Sequence, residues 1–84
     1  MARSRPEYDF GRALAALREQ HKLTQLELAL RAGLGQGHIC KLELGYRSPT
    51  LETIRCVAKA LGVKPSELVA LGEEHAEQRR AAAS

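Results

Sequence analysis

The chain has 84 residues, with 13 Lys and Arg against 10 Asp and Glu and a formal charge of +3. That length suits one small domain and leaves too little chain for a deep catalytic cleft, and no apolar run approaches the roughly 20 residues that cross a bilayer. Mild basicity is compatible with a nucleic-acid partner without requiring one. We expect a cytoplasmic protein with two reduced cysteines, no membrane partner and no cofactor.

The chain begins with a basic arm, residues 1–8, that contains Arg3, Arg5 and Pro6. Such a segment cannot pack alone, so it either stays disordered or follows a groove of a neighbouring DNA duplex. Asp9 then predicts the start of a first helix, which ends near residues 20–22. The apolar residues of this helix recur at helical spacing and should face the core: Phe10, Ala13, Leu14 and Leu17.

The stretch from Thr24 to Gly45 predicts two short helices joined by a tight turn. Thr24 and Glu27 form a capping box, which starts the second helix of the chain at the residue after Thr24. Gly33 supplies the left-handed residue that ends this helix. A third helix begins about Gln36 and stops at Gly45. Two helices with a glycine in the turn between them have the spacing of a helix-turn-helix motif.

The third helix has an inner and an outer side when its residues are placed about 100° apart. Ile39 and Leu42 point to the core, and His38 lies at the edge of that face. In a recognition helix the outer side faces the major groove of DNA. That side carries Gln36, Gly37, Cys40, Lys41 and Leu44.

Two apolar rows occur on the second helix. Leu28 and Ala29 face inward, where the small Ala29 lets the third helix approach closely. Leu26 and Leu30 lie four residues apart and form the other row. This row either packs inside the molecule or provides a surface for a protein partner.

Thr50 and Gly62 are expected to begin and close a fourth helix, and Pro65 to open a fifth. The buried residues of these helices are predicted to be Leu51, Ile54, Val57, Ala58 and Leu61, then Leu68 and Leu71. Gly72 should separate the fifth helix from an Ala-, Glu- and Arg-rich tail, residues 73–84. The tail is a helical extension, a disordered segment or a segment that orders against a second copy of the protein.

The chain resembles the Xre/Cro type of phage-repressor-like helix-turn-helix domain from about Phe10 to Leu71. The resemblance rests on Leu17, Arg18, Thr24, Gln25, Leu28, Ala29, Gly33, Leu34, Ile39, Leu42, Glu43, Gly45, Pro49, Leu51 and the run Ala60-Leu61-Gly62-Val63. It implies an all-α, five-helix lambda-repressor-like domain over residues 9–72, with the second helix across the DNA backbone and the third in the major groove. It also implies a salt bridge between Arg18 and Glu43.

Double-stranded DNA is therefore the expected partner, and its contacts fall into two groups. Phosphate contacts are expected from the N terminus of the second helix, because free backbone N–H groups there favour an anion. The resemblance also implies contacts at this position. Further phosphate contacts are expected from polar residues in and after the third helix. The phosphate-binding candidates are Thr24, Gln25, His38, Arg47 and Ser48. The base-reading candidates are Gln36, Gly37, Cys40 and Lys41. Gln pairs well with adenine and Lys with guanine, each for about 1 to 3 kcal/mol of discrimination.

Three residues depart from the family pattern. Gly35 stands where a Ser or Thr cap is usual, and Gly37 stands at a main base-reading position. Glycine inside a helix costs about 1 kcal/mol relative to alanine, so the first turn of the third helix should be soft in the free protein. Gly37 either permits close approach of backbone to DNA or removes a reading side chain. Leu44 replaces a usually polar residue, which removes a phosphate contact or substitutes a contact with a thymine methyl group.

The thiols and imidazoles do not predict a metal site. His38 and Cys40 lie about 200° apart around their helix, so they cannot chelate one ion. Cys40, on the outer side, is either a tolerated small residue or a position where oxidation would disturb DNA binding.

Two function classes remain open, and an enzyme is not expected because the chain has no nucleophile, acid–base or phosphate-loop constellation. The first class is a sequence-specific transcriptional regulator that binds an inverted repeat as a homodimer, paired through the fifth helix and the tail. The second is an antitoxin-like interaction module whose main partner is another protein. Polymerase or a toxin would be such a partner, and the two classes are compatible.

Overall fold

The computed structural model describes residues 9–83, and the basic arm predicted at residues 1–8 lies outside them. Within this part of the chain the regular structure is entirely helical, as expected for an all-α domain. The five helices are α1 (Phe10–Gln20), α2 (Gln25–Ala32), α3 (Gln36–Leu44), α4 (Leu51–Leu61) and α5 (Pro65–Ala83). None of them is long and apolar enough to span a bilayer.

Local capping chemistry sets the helix ends. Asp9 caps α1 by accepting from the backbone N–H of Arg12 at 3.3 Å. The predicted capping box of α2 is present: Thr24 Oγ1 accepts from the N–H of Glu27 at 3.0 Å, and Glu27 Oε1 accepts from the N–H of Thr24 at 2.8 Å. Gly33 ends α2 with a φ of 72°, in the left-handed region that favours glycine.

One aliphatic core joins all five helices. Its largest fully buried side chains are Leu14, Leu28, Ile39, Leu42, Leu68 and Val57. These residues lie on the faces that helical spacing predicted. Leu51 was expected in the same stripe of α4, but it is 71% exposed. It is the first residue of α4 and lies one turn before Ile54, where the buried apolar stripe begins. The cap at Thr50 sets the start of α4 without any contribution from Leu51.

The close packing of α1 on α3 depends on Gly11. A Cβ atom at this position would lie 2.6 Å from the backbone carbonyl oxygens of both Leu42 and Glu43. Side chains cannot be accommodated at that distance, so glycine lets α1 approach the C-terminal end of α3 directly. Nothing in the local sequence around Gly11 predicts this contact, because Leu42 and Glu43 are about thirty residues away in the chain.

The fifth helix differs from expectation because it does not stop at Gly72. It continues to Ala83, so residues 73–83 are a helical extension. Gly72 is buried, and its carbonyl oxygen accepts from the N–H of Asp9 at 2.8 Å. Ala76 is fully buried, and Arg79 Nη1 lies 3.0 Å from Asp9 Oδ2. The extension therefore packs against the start of α1 in its own chain, and these contacts offset the cost of a glycine inside the helix.

Candidate nucleic-acid interface

An ion pair between Arg18 and Glu43 connects α1 to α3 of the helix-turn-helix. Arg18 Nε donates to Glu43 Oε2 at 2.6 Å and Arg18 Nη2 donates to Glu43 Oε1 at 3.1 Å, a two-point contact between a guanidinium and a carboxylate. The side chains are 13% and 7% exposed. The hydrogen bond to Glu43 raises the pKa of Arg18; burial opposes this shift, and the negative charges of Glu43 and Glu19 add to it. Arg18 therefore stays charged at neutral pH, and its contribution to the pair is lost only as the pH rises through its raised pKa.

Two further hydrogen bonds extend this ion pair. Arg18 Nη1 donates to the carbonyl oxygen of Leu23, between α1 and α2, at 2.7 Å. Gln25 Nε2, in the first turn of α2, donates to Glu43 Oε1 at 2.9 Å. One carboxylate near the end of α3 thus connects α1, the following turn and the start of α2. We call Arg18, Leu23, Gln25 and Glu43 the helix-junction network.

The N terminus of α2 keeps donors available despite its cap. Thr24 uses its backbone N–H and one oxygen lone pair in the capping box, so its hydroxyl hydrogen remains for an acceptor. The first N–H groups of a helix have no partner within it, and they favour an anion. At Gln25 the side chain is already engaged with Glu43, so its backbone N–H is the group best placed for a phosphate.

The outer side of α3 presents polar side chains to solvent. Gln36, Gly37 and Lys41 are exposed, while Ile39 and Leu42 on the other side are fully buried. No hydrogen bond or ion pair within residues 9–83 occupies the side chains of Gln36 or Lys41. The amide and the ammonium are the donors that major-groove readout requires, and they project from a helix anchored on its opposite face.

The first turn of α3 lacks a side-chain cap. Gly35 occupies the N-cap position in an extended conformation and makes no capping hydrogen bond. A Cβ atom built at Gly35 or at Gly37 meets nothing within 4 Å, so neither glycine is required by packing inside the protein. The beginning of α3 is therefore less restrained than its end, where the helix-junction network acts.

The remaining candidates border this surface. Arg47 and Ser48 are exposed in the loop between α3 and α4, while His38 and Cys40 are half-buried on α3. Both cysteines are free thiols. The described residues include no group of three or more His, Cys, Asp and Glu side chains that could hold a metal ion.

Comparison with known proteins shows the family to which the chain belongs. A family model described as helix-turn-helix matches residues 14–68. The chain belongs to the Xre/Cro type of this family, a class of DNA-binding transcriptional regulators.

The chain is similar to two curated relatives over 64 residues, which are 76% of its length. It is 39% identical to the immunity repressor protein of Bacillus phage phi105, of which it spans 43%, and so less than half. It is 42% identical to an uncharacterized HTH-type transcriptional regulator, y4dJ of Sinorhizobium fredii, of which it spans 83%.

One solved structure places the similarity in the fold. The restriction-modification controller protein C.AhdI from Aeromonas hydrophila superposes with a TM-score of 0.70 at 36% identity, covering 73% of this chain and 92% of that one. The residues that the family model matches, 14–68, contain the whole helix-turn-helix.

Proposed function

We propose that this chain is a sequence-specific regulator of transcription that binds double-stranded DNA in the cytoplasm as a homodimer, with α3 in the major groove of an inverted repeat. The outer face of α3 carries this proposal. Gln36 and Lys41 are exposed there and have no partner among residues 9–83, while Glu43 is bound to Arg18 of α1. The names of the relatives, a repressor, a transcriptional regulator and a controller protein, support a role in transcription. The activity is binding and occupancy of a promoter, without catalysis.

Bases are read by the outer side of α3 and phosphates by its surroundings. Gln36 contacts adenine and Lys41 contacts guanine, with Gly37 and Cys40 beside them at the groove. The phosphate contacts come from the start of α2 and from residues after the recognition face, namely Thr24, Gln25, His38, Arg47 and Ser48. These contacts fix the protein on the duplex and carry no sequence information.

Two copies are proposed because one short recognition helix makes few contacts, and a two-fold pair doubles them. The buried stripe of α5 cannot serve as the interface, since it packs on α1 within the chain. Tyr46 and Leu51, in and just after the loop that follows α3, are 61% and 71% exposed. These two residues provide apolar area for pairing. The outer face of α5 does not provide such area, because it carries Glu73, Glu74 and Glu77.

Equilibrium binding to the DNA upstream of the protein's own gene tests the proposal across a salt series. We would compare the wild type with a Gln36→Ala, Lys41→Ala double variant. The matched control is Lys59→Ala with Gln78→Ala, which removes the same two residue types from exposed positions on α4 and α5. Both double variants lose one positive charge, so long-range attraction to DNA falls equally.

We expect log K of the wild type to fall steeply with log salt, as counterion release requires. The α3 variant should lose its preference for the operator over unrelated duplex by at least about tenfold, from contacts worth about 1 to 3 kcal/mol each. The control should keep the preference. Absence of duplex binding near about 0.1 M salt, or equal loss in both double variants, would contradict the proposal.

A second candidate function, docking of another protein, is favoured by α2. Leu26 and Leu30 are 50% and 73% exposed and lie on one side of that helix. A toxin or polymerase subunit that seats on this row would make the chain antitoxin-like or an activator. Pull-down with Leu30→Glu protein as the matched control tests it: a partner retained by the wild type and lost by the variant supports docking, and equal retention excludes this surface.

A further inference from the structure

Gln25 has a contact that its predicted phosphate role does not explain. It is half-buried at the first position of α2, and its Nε2 donates to Glu43 Oε1 at 2.9 Å, across 18 residues of sequence. The bond joins the start of α2 to the last turn of α3, at the opposite end of the motif.

The acceptor of this bond is held firmly. Both oxygens of Glu43 already receive hydrogen bonds from Arg18, at 2.6 and 3.1 Å, and the Glu43 side chain is 7% exposed. Arg18 is fixed in turn by the carbonyl oxygen of Leu23 at 2.7 Å. Because Arg18 holds the Glu43 carboxylate in place, this acceptor does not move when the Gln25 side chain moves. The hydrogen bond from Gln25 therefore restrains the position of α2 relative to α3.

At the opposite end of α3, no side chain of the described residues makes a comparable hydrogen bond. Its N-cap is Gly35, which makes no side-chain hydrogen bond, and Gly37 follows in the first turn. The helix-junction network therefore restrains the direction of α3 through polar contacts at the end of that helix. Lys41, a base-reading candidate, lies only two residues before Glu43 and so close to this restraint. Base readout by paired hydrogen bonds tolerates shifts of only a few tenths of an ångström, whereas attraction to phosphates does not depend on such alignment.

We propose that Gln25 is a positioning residue: through Glu43 it sets the placement of α3 in the groove, and so it controls base discrimination more than overall affinity for duplex. The proposal rests on the proposed function, because it concerns how that same surface distinguishes sequences. It is separate from a phosphate contact by Gln25, which needs only the backbone N–H.

Two substitutions separate the roles. Gln25→Met keeps the length of the side chain and removes the donor, while Gln25→Lys keeps a donor for Glu43 and adds a charge. For each protein we would measure Kd for the preferred operator and for a shuffled duplex of the same composition. The ratio of the two Kd values is the readout, because a change in folded fraction or in general electrostatic attraction affects both values alike.

We expect Gln25→Met to lower the ratio about tenfold, the effect of losing one hydrogen bond to a charged group, and to leave the shuffled duplex within about twofold of wild type. Gln25→Lys should bind both duplexes more tightly and keep the wild-type ratio within about threefold. Thermal unfolding by circular dichroism would set a temperature at which every variant is folded.

Three results would overturn the inference. Equal weakening on both duplexes by Gln25→Met would show that the Gln25 side chain contributes to general affinity for DNA and does not set base discrimination. A ratio lost to the same extent in Gln25→Lys would show that the donor is not the cause. A wild type that prefers no duplex would overturn the proposed function as well, and this failure is visible before any variant is compared.

Discussion

At the scale of single residues, the helix-junction network depends on Glu43. This carboxylate receives hydrogen bonds from Arg18 and Gln25 and is almost fully buried. A buried ion pair adds little net stability when compared with apolar residues of the same size. Removal of one partner, however, leaves the other charge buried without compensation, which lowers stability strongly. The position should therefore be sensitive to truncation.

Glu43→Ala should lower the free energy of unfolding by about 3 kcal/mol, because Arg18 is left without its carboxylate. Urea unfolding followed by circular dichroism measures the change. Glu19→Ala is the matched control: Glu19 lies 3.7 Å from the same guanidinium but is 71% exposed, and its loss should cost less than about 1 kcal/mol. Similar costs in both variants would contradict the importance assigned to the network.

At the scale of the elements, two glycines at opposite ends of α3 have opposite effects on stability. Gly37 lies in the open first turn of α3, whereas Gly11 of α1 touches the backbone at its other end. The first should weaken the helix in the free protein, and the second is required for packing. Substitution by alanine distinguishes them.

Gly37→Ala should raise the free energy of unfolding by up to about 1 kcal/mol, since alanine favours helix and its Cβ meets no neighbour. Gly11→Ala should lower it by about 1 to 3 kcal/mol, because α1 must move away from α3. Chemical denaturation of the two variants alongside the wild type measures both changes. No loss of stability in Gly11→Ala would contradict the packing described for α1 and α3, and a loss of stability in Gly37→Ala would contradict the open first turn of α3.

The elements also show what a sequence can predict. The ends of α1, α2, α3 and α4 follow from neighbours within a few residues, such as Thr24 with Glu27, and these were predicted. The course of α5 was not, because its passage through Gly72 depends on Asp9, about sixty residues earlier in the chain. The roles of Gly11 and the Gln25 side chain were missed for the same reason. Their neighbours are distant in sequence and become visible only once the helices have packed.

At the scale of the whole molecule, the proposed regulator is a five-helix domain with one core, and α3 is the helix that it would present to DNA. Residues 9–72 were predicted as the domain. The extension of α5 beyond residue 72 adds to this domain by packing against the start of α1. The residues proposed to face DNA, on α2, α3 and the following loop, lie apart from this extension in sequence. The proposed two-fold pairing places two such faces side by side, so the operator should show matching preferences in its two halves.

The most direct test of base reading by α3 is the preference of Lys41→Ala at every base pair of the operator. Binding of wild type and variant would be measured on a set of duplexes that each carry one base-pair change. We predict that the variant loses discrimination, about 1 to 3 kcal/mol, at one position in each half-site and keeps it elsewhere. A uniform loss at all positions would make Lys41 a phosphate contact and contradict the claim that the outer face of α3 reads sequence.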